Sequence, residues 1–301
     1  MRIAQVALIC AFFVALFYAF NFTAAKEVTP EPIGAFALTW YRVAITGIIF
    51  WIIASIWRPS DKVALRELPH IALAAFCGVG FNMVTFMWGL SQTTPIAASV
   101  LMVTTPMIVL ILSAIFLKEQ LKFIRVIGIV IGFAGTAGLI FLTTGKGADA
   151  SDPLFGNFLI FINAVSYSFY IILASKLTQR YHVLTLMKWL YLFGILFITP
   201  VAFHELGEWN PMTARLDTLL YAGYVVMFAT FGTYMLNIIA IKNLKPSVVA
   251  VFVYLQPLLA TLIAVGLDKD TLTWTKVIAG LFIFTGVYLT TRKPKSGAVR
   301  S

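Results

Sequence analysis

The chain is short of charge. Asp, Glu, Lys and Arg make up 11% of its 301 residues, where soluble domains carry about a quarter. With 60% hydrophobic residues, that is too little polarity to cover a water-exposed surface, and it excludes an ordinary soluble globular domain. Cysteine is nearly absent: Cys10 and Cys77 both lie inside apolar runs, so no structural disulfide is expected. The three histidines, His70, His182 and His204, stand apart and form no metal-ligand spacing. Gly-rich phosphate loops, HExxH and GxSxG are missing, which leaves no cofactor, metal or catalytic motif to build on. Acids are scarcest where they would matter most for proton coupling. All twelve fall at the ends of apolar runs or between them, whereas a proton-coupled exporter needs a tunable carboxylate inside the membrane.

What is present is a series of ten apolar runs of spanning length, at about 3–23, 33–57, 68–90, 95–117, 121–143, 154–178, 184–204, 217–241, 247–267 and 273–291. The fold class is therefore all-α integral membrane, because backbone groups in lipid must find partners within their own helix. The first run, with Arg2 before it and Thr23-Ala24-Ala25 after it, resembles a secretory signal, but its apolar core is longer than a signal's and we read it as an uncleaved span. Net charge is +10, yet the basic residues lie between apolar runs and at the C-terminus, which is a topology signal rather than a nucleic-acid footprint. With the N-terminus in the cytoplasm, 16 Lys and Arg lie inside and 5 outside, so both termini are assigned to the cytoplasm.

The segment 92–139 has an echo. Shifted by 151 residues it aligns without a gap on 243–290, and nine identities fall within 95–139, among them Pro95 with Pro246, Pro106 with Pro257, Lys118 with Lys269 and Gly135 with Gly286. Glu119 meets Asp270, and Arg125 meets Lys276. This is an internal duplication. Five spans per copy is an odd number, so the copies would have opposite orientation: two inverted five-helix repeats, a construction of secondary transporters that places the site near mid-membrane between the halves. The organisation is then a first repeat over 1–143, a polar linker over 144–153, a second repeat over 154–291 and a short basic cytoplasmic tail over 292–301.

The stretch Gly89-Leu90-Ser91-Gln92-Thr93-Thr94-Pro95-Ile96-Ala97-Ala98, then Pro106, Lys118-Glu119-Gln120-Leu121 and the glycine-rich 128–138, resembles the EamA domain of the drug/metabolite transporter superfamily. Tyr18-Ala19-Phe20-Asn21-Phe22 is similar to the family's first-helix pattern, with Tyr18 where Trp is usual. The second half repeats the signature at Lys245-Pro246, Pro257 and Asp270. The resemblance covers the whole chain as two EamA units. It implies a ten-helix exporter or exchanger of small metabolites with a cavity between the halves, in a bacterial inner membrane, and it implies no particular substrate.

Arg42 is the sharpest single residue, about 14 Å into the second run. A central arginine costs about 2.5–3.5 kcal/mol on insertion scales, so it should face a cavity or a partner. It would either pair with an anionic group of the substrate, or cap carbonyls and snorkel outward beside Trp40 and Tyr41. Tyr18, Asn21, Asn82, Asn163, Tyr167, Tyr254 and Gln256 join it as candidate substrate contacts, although for each taken singly a hydrogen bond to a neighbouring helix is the stronger expectation. Pro106 and Pro257, at equivalent positions, are candidate hinges. Gly128, Gly132, Gly135 and Gly138 form a packing face, while Glu119 and Asp270 are expected to cap helix starts. Trp40, Trp51, Trp57, Trp88, Trp209 and Trp274 are expected as interfacial anchors. The expected partners are a small-molecule substrate and the lipid bilayer. Amino acids or related metabolites are favoured by the Arg42, amide and aromatic inventory; a lipophilic cation or drug exporter is the alternative, and an integral membrane enzyme lacks the His, Asp or Glu cluster it would need.

Overall fold

The computed structural model describes residues 2–117, 123–142, 150–210, 212–243 and 246–291. They are helical, with no strand among the described residues. The helices are α1 (Arg2–Lys26), α2 (Ala35–Trp57), α3 (Leu68–Ala75), α4 (Phe81–Gln92), α5 (Pro95–Met102), α6 (Thr105–Leu117), α7 (Phe123–Leu142), α8 (Pro153–Leu177), α9 (Val183–Leu206), α10 (Leu216–Val226), α11 (Thr233–Asn243), α12 (Pro246–Gly266) and α13 (Trp274–Thr291). Seven stretches among the described residues are long and apolar enough to cross a membrane, and three more, Phe123–Leu139, Leu255–Gly266 and Trp274–Leu289, are apolar but shorter. Large apolar side chains such as Ile48, Val130, Leu196 and Leu262 point away from the protein, as a bilayer requires. The turn at Lys118 to Lys122, most of the linker and the basic tail lie outside the described residues.

Two spans contain a π-helical turn. One covers Phe76–Gly80 between α3 and α4, and the other covers Met227–Gly232 between α10 and α11. Their starts are 151 residues apart, the offset of the sequence echo, and so are the starts of α5 and α12 and of α7 and α13. A π turn costs hydrogen-bond geometry and is rare outside functional sites, so its presence at both places extends the duplication beyond the aligned segment.

The main packing partners come from opposite halves. α7 lies along α13, α2 along α9, α4 along α8, and α1 along α11 and α12, while α6 packs on α8. Equivalent helices run antiparallel. Trp40 bonds Thr199 near one end of α2 and Trp51 bonds the Lys188 carbonyl near the other, so α2 and α9 have opposed directions. In α7 and α13, Gly135 lies against Ala279 and Phe282, and Gly132 lies against Gly286. The approach there is backbone on backbone: a Cβ on Gly286 would overlap Gly132 and the Gly128 carbonyl, which is why small residues are needed. Gly138 meets nothing within 4 Å and is not part of this contact. α1 is packed into the bundle, with Ala24 and Ala25 fully buried.

The two candidate hinge prolines differ. α5 ends at Met102, Val103 and Thr104 form a turn, and Pro106 is the second residue of α6, where a missing N–H would have had no helical partner. Pro257 lies inside the continuous helix α12. The expectation of two equivalent mid-helix kinks is thus corrected in the first half: that span is interrupted before its proline, and Thr104 Oγ1 donates to the Leu101 carbonyl (2.7 Å) at the interruption.

Asp270 does cap a helix start, but in the other half. Its Oδ2 accepts from the Ile96 N–H (3.1 Å) at the beginning of α5, and its Oδ1 takes the Lys276 ammonium in a pair almost wholly removed from solvent. Glu119, its counterpart, lies outside the described residues. At both ends of the α2/α9 pair a carboxylate also caps the partner helix. Glu205 accepts from the Phe36 and Ala37 N–H groups (2.8 and 2.9 Å) at the start of α2. Asp61 accepts from the His182 N–H (2.7 Å) and the Thr185 hydroxyl (2.9 Å) at the start of α9. Partial burial works against the Asp61 charge, but the hydrogen bonds from His182, Thr185 and its own backbone, with the nearby imidazole, outweigh it and hold the carboxyl below its ordinary range.

Candidate functional site

Arg42 is placed by α2: Leu38, one turn before it, and Val43, next to it, are buried, so the guanidinium is directed into the bundle. The side chain is 4% exposed. It does not snorkel outward, and among the described residues it donates to no carbonyl. Nε donates to Thr230 Oγ1 (3.0 Å), and Nη1 lies 3.5 Å from the Met87 sulfur. Among the described residues no carboxylate pairs with it. The π turn explains the Thr230 contact. Thr230 Oγ1 donates to the Val225 carbonyl five residues back (2.7 Å), which holds the hydroxyl with its lone pairs toward Arg42.

Tyrosines surround this cation. Tyr18, Tyr191 and Tyr234 lie within electrostatic reach of the guanidinium. The Tyr18 phenol sits beside the Thr233 hydroxyl, Tyr191 and Tyr234 meet edge-on with ring centroids 5.6 Å apart, and Tyr167 and Tyr170 are also 5.6 Å apart. Tyr167 and Tyr170 both lie near Tyr18. Tyr191 is fully buried, while Tyr18, Tyr167, Tyr170 and Tyr234 keep some accessible surface although they sit among the central helices. Gly78, in the other π turn, makes room for the Tyr170 ring, which a Cβ would overlap.

Of the sequence candidates, Arg42, Tyr18 and Tyr167 are therefore brought together. Asn21, one turn after Tyr18 on α1, is buried, and its Oδ1 has no hydrogen-bond partner among the described residues. Asn82 and Asn163 are engaged with each other's backbone: Asn82 Nδ2 donates to the Asn163 carbonyl (3.1 Å), and Asn163 Nδ2 to the Asn82 carbonyl (2.6 Å). That reciprocal clamp fixes α4 on α8, with Asn163 Oδ1 left unbonded. Gln256 is half-buried next to Pro257 on α12. The side chain of Tyr254 lies outside the described residues. A cleft of about 310 Å³ lined by Pro32, Trp209, Asn210 and Arg215 lies among the inter-helix loops; it does not include Arg42 or any of the tyrosines.

Sequence reasoning missed Tyr170, Tyr191, Tyr234 and Thr230. Tyr170 had a signal, since it follows Tyr167 by three residues and shares its helix face. Tyr191 and Tyr234 are polar rings in the interior of apolar runs, where attention to anchors at run ends overlooks them. Thr230 had none, because its role depends on the π turn.

Comparison with known proteins fixes the family. The profile described as "EamA-like transporter family" matches residues 5–141 and again 154–292. The chain belongs to the EamA-like transporter family. Its relatives include an uncharacterized transporter of Archaeoglobus fulgidus, 27% identical over 274 residues that cover 89% of this chain and 90% of that one. The uncharacterized transporter YetK of Bacillus subtilis is 22% identical over 88% of this chain and 81% of its own. The uncharacterized inner membrane transporter YedA of Escherichia coli is 28% identical over 76% and 73%. A solved crystal structure shares the fold, with a TM-score of 0.62 over 95% of this chain and 96% of that one at 18% identity. As an EamA-like chain with apolar spans, matched twice along its length, this is an integral membrane protein of a transporter family.

Proposed function

We propose that this EamA-like protein is a secondary transporter that moves a small organic metabolite bearing a carboxylate, with amino acids and related compounds favoured, by alternating access. One observation carries the reading: Arg42 is buried with no carboxylate among the described residues to neutralise it. A buried unpaired charge is expensive, and the expense is justified where a ligand supplies the counter-charge. The tyrosines and the unbonded Asn21 Oδ1 give the remainder of such a ligand aromatic faces and an acceptor.

The architecture proposed is ten spans in two inverted five-helix halves, 1–143 and 154–291, joined by 144–153, with both termini and the tail 292–301 in the cytoplasm and the protein in a bacterial inner membrane. The antiparallel course of α2 against α9 and of α7 against α13 supports the inversion. Pro257 and the interruption before Pro106 are the proposed flexible points. Because all twelve acids fall at the ends of apolar runs or between them, transport is proposed to run as facilitated diffusion or exchange, or to be coupled without a buried carboxylate; uptake driven by acidification and abolished by a protonophore would refute that.

The deciding test is thermal stability of the purified protein with amino acids, organic anions and organic cations, repeated on Arg42→Ala. Stabilisation by a carboxylate-bearing compound that is lost in the variant supports the proposal. Stabilisation by cations alone, unchanged in the variant, makes Arg42 structural and favours the lipophilic-cation reading, for which the tyrosine faces would be the relevant feature.

A further inference from the structure

Another cation with no ion pair among the described residues, Lys188, lies at the end of the α2/α9 pair where Trp57 terminates α2 and Val183 begins α9. Lys188 is five residues into α9, about 8 Å from its start, and Trp51 is six residues from the end of α2, about 9 Å, so the two face each other just inside the membrane boundary. The Lys188 Nζ stands 5.1 Å from the centroid of the Trp51 ring. The Trp51 Nε1 donates to the carbonyl of Lys188 itself (3.1 Å), which locks the indole under the ammonium. Trp189 meets Trp51 edge-on at 6.0 Å and stacks on Phe193 at 6.1 Å, so the platform continues along α9. Trp51 is 38% exposed, with Ile48 and Ile52 beside it more than half exposed, which makes this a lipid-facing surface.

The ammonium keeps its three N–H donors. Among the described residues, Lys188 makes no ion pair and its Nζ no hydrogen bond, and the two acids near this end are occupied: Asp61 caps α9, and Glu67 holds Arg180 at 3.0 Å. Arg58 and Lys62, both exposed, add further positive charge at the same end. A lysine that merely reached for water would extend past the helix end, as long side chains do. Here the ammonium lies over an indole instead, about one to two helical turns from the ends of α2 and α9.

We propose that Trp51, Lys188 and Trp189 form a binding site for an anionic phospholipid, with the phosphodiester on the Lys188 ammonium and one acyl chain along the exposed faces of Trp51 and Ile48. The charge complementarity is of the kind that basic pockets between transmembrane helices offer to anionic head groups. This site is independent of the solute that Arg42 binds.

The test titrates the purified full-length protein in neutral detergent micelles with phosphatidylglycerol or phosphatidylcholine carrying the same brominated acyl chains, and follows tryptophan fluorescence. A single lysine near the membrane surface is worth about 1 kcal/mol toward an anionic lipid, or about fivefold. The wild-type protein should reach half-quenching at about fivefold less phosphatidylglycerol than phosphatidylcholine. Lys188→Gln should erase that preference and Lys188→Arg should keep it, while Trp51→Phe should remove part of the quenching amplitude. Equal half-points for the two lipids in the wild-type protein would overturn the proposal. So would an undiminished phosphatidylglycerol preference in Lys188→Gln, which would assign it to the exposed Arg58 and Lys62.

Discussion

The two π turns occupy the same place in the two repeats and do different work. In the second repeat, Met227–Gly232 holds the Thr230 hydroxyl against the Arg42 guanidinium. In the first, Phe76–Gly80 offers the Cys77 carbonyl to the Ser166 hydroxyl (2.8 Å), and Gly78 clears the space taken by the Tyr170 ring. The charge has diverged likewise. Arg42 and Tyr18 come from the first half, while Tyr167, Tyr170, Tyr191, Tyr234 and Thr230 come from the second. The frame is repeated, but the charge at its centre comes from one half alone. A site shared by two halves but charged by one can bind a ligand with two unlike ends in a defined orientation.

The largest effect should come from removing that one-sided charge. Arg42→Met should abolish ligand-induced stabilisation, lowering affinity about tenfold to a hundredfold, which is what losing a charge-assisted contact costs. It should also raise the melting temperature of the unliganded protein, because a buried ion without a counter-charge costs more than an apolar side chain of similar volume in the same place. A variant that is destabilised and still binds would show that the charge serves the fold.

The α7/α13 seam tests the frame rather than the site. Gly286→Ala should destabilise by about 1–3 kcal/mol, because its Cβ would meet backbone of Gly132 and Gly128 that cannot rotate away. Gly138→Ala, on the same seam's open side, should be neutral or slightly stabilising, and thermal melts of the two variants check the contrast. The prolines offer a second contrast. Pro257→Ala restores a backbone donor within α12 and should slow transport several-fold more than Pro106→Ala, where the proline occupies a position that tolerates it. Equal transport rates would remove Pro257 as a hinge.

Smaller effects should come from the partner that holds Arg42 and from the cap on α9. Thr230→Val keeps the shape and deletes the acceptor of the Arg42 Nε hydrogen bond, so ligand affinity measured by thermal shift should fall about two- to tenfold. Asp61→Asn should give the smallest change, and one that depends on pH. Since the Asp61 carboxyl is held below its ordinary value in the folded protein, its contribution is full above the unfolded value and disappears as pH falls through the folded one. Melting temperatures of wild type and variant should therefore differ at neutral pH and converge in acid.

Much of the frame was legible because it is written locally. Run length and hydropathy need no partner to be read, and the 151-residue offset of the echo reappears in the π turns and helix starts. Arg42 stood out for the same reason: a charge in an apolar run is anomalous whatever surrounds it. The fate of Asn82 and Asn163 was not legible, since an amide in a span serves helix packing or ligand equally well until its neighbour is known; 81 residues separate the two, and their clamp is a product of α4 lying on α8. Pro106 misled because a proline reads as a kink in an intact helix, while here the helix had already ended at Met102.

The sequence by itself determined the solvent of this protein, its duplication and the presence of one costly buried cation, because each follows from what neighbouring residues are. Tertiary structure alone decided what that cation faces. Arg42 and Thr230 are 188 positions apart, and the tyrosines around them arrive on four helices. No local pattern encodes which hydroxyl, ring or missing carboxylate will meet a guanidinium; that is settled by how the two halves pack.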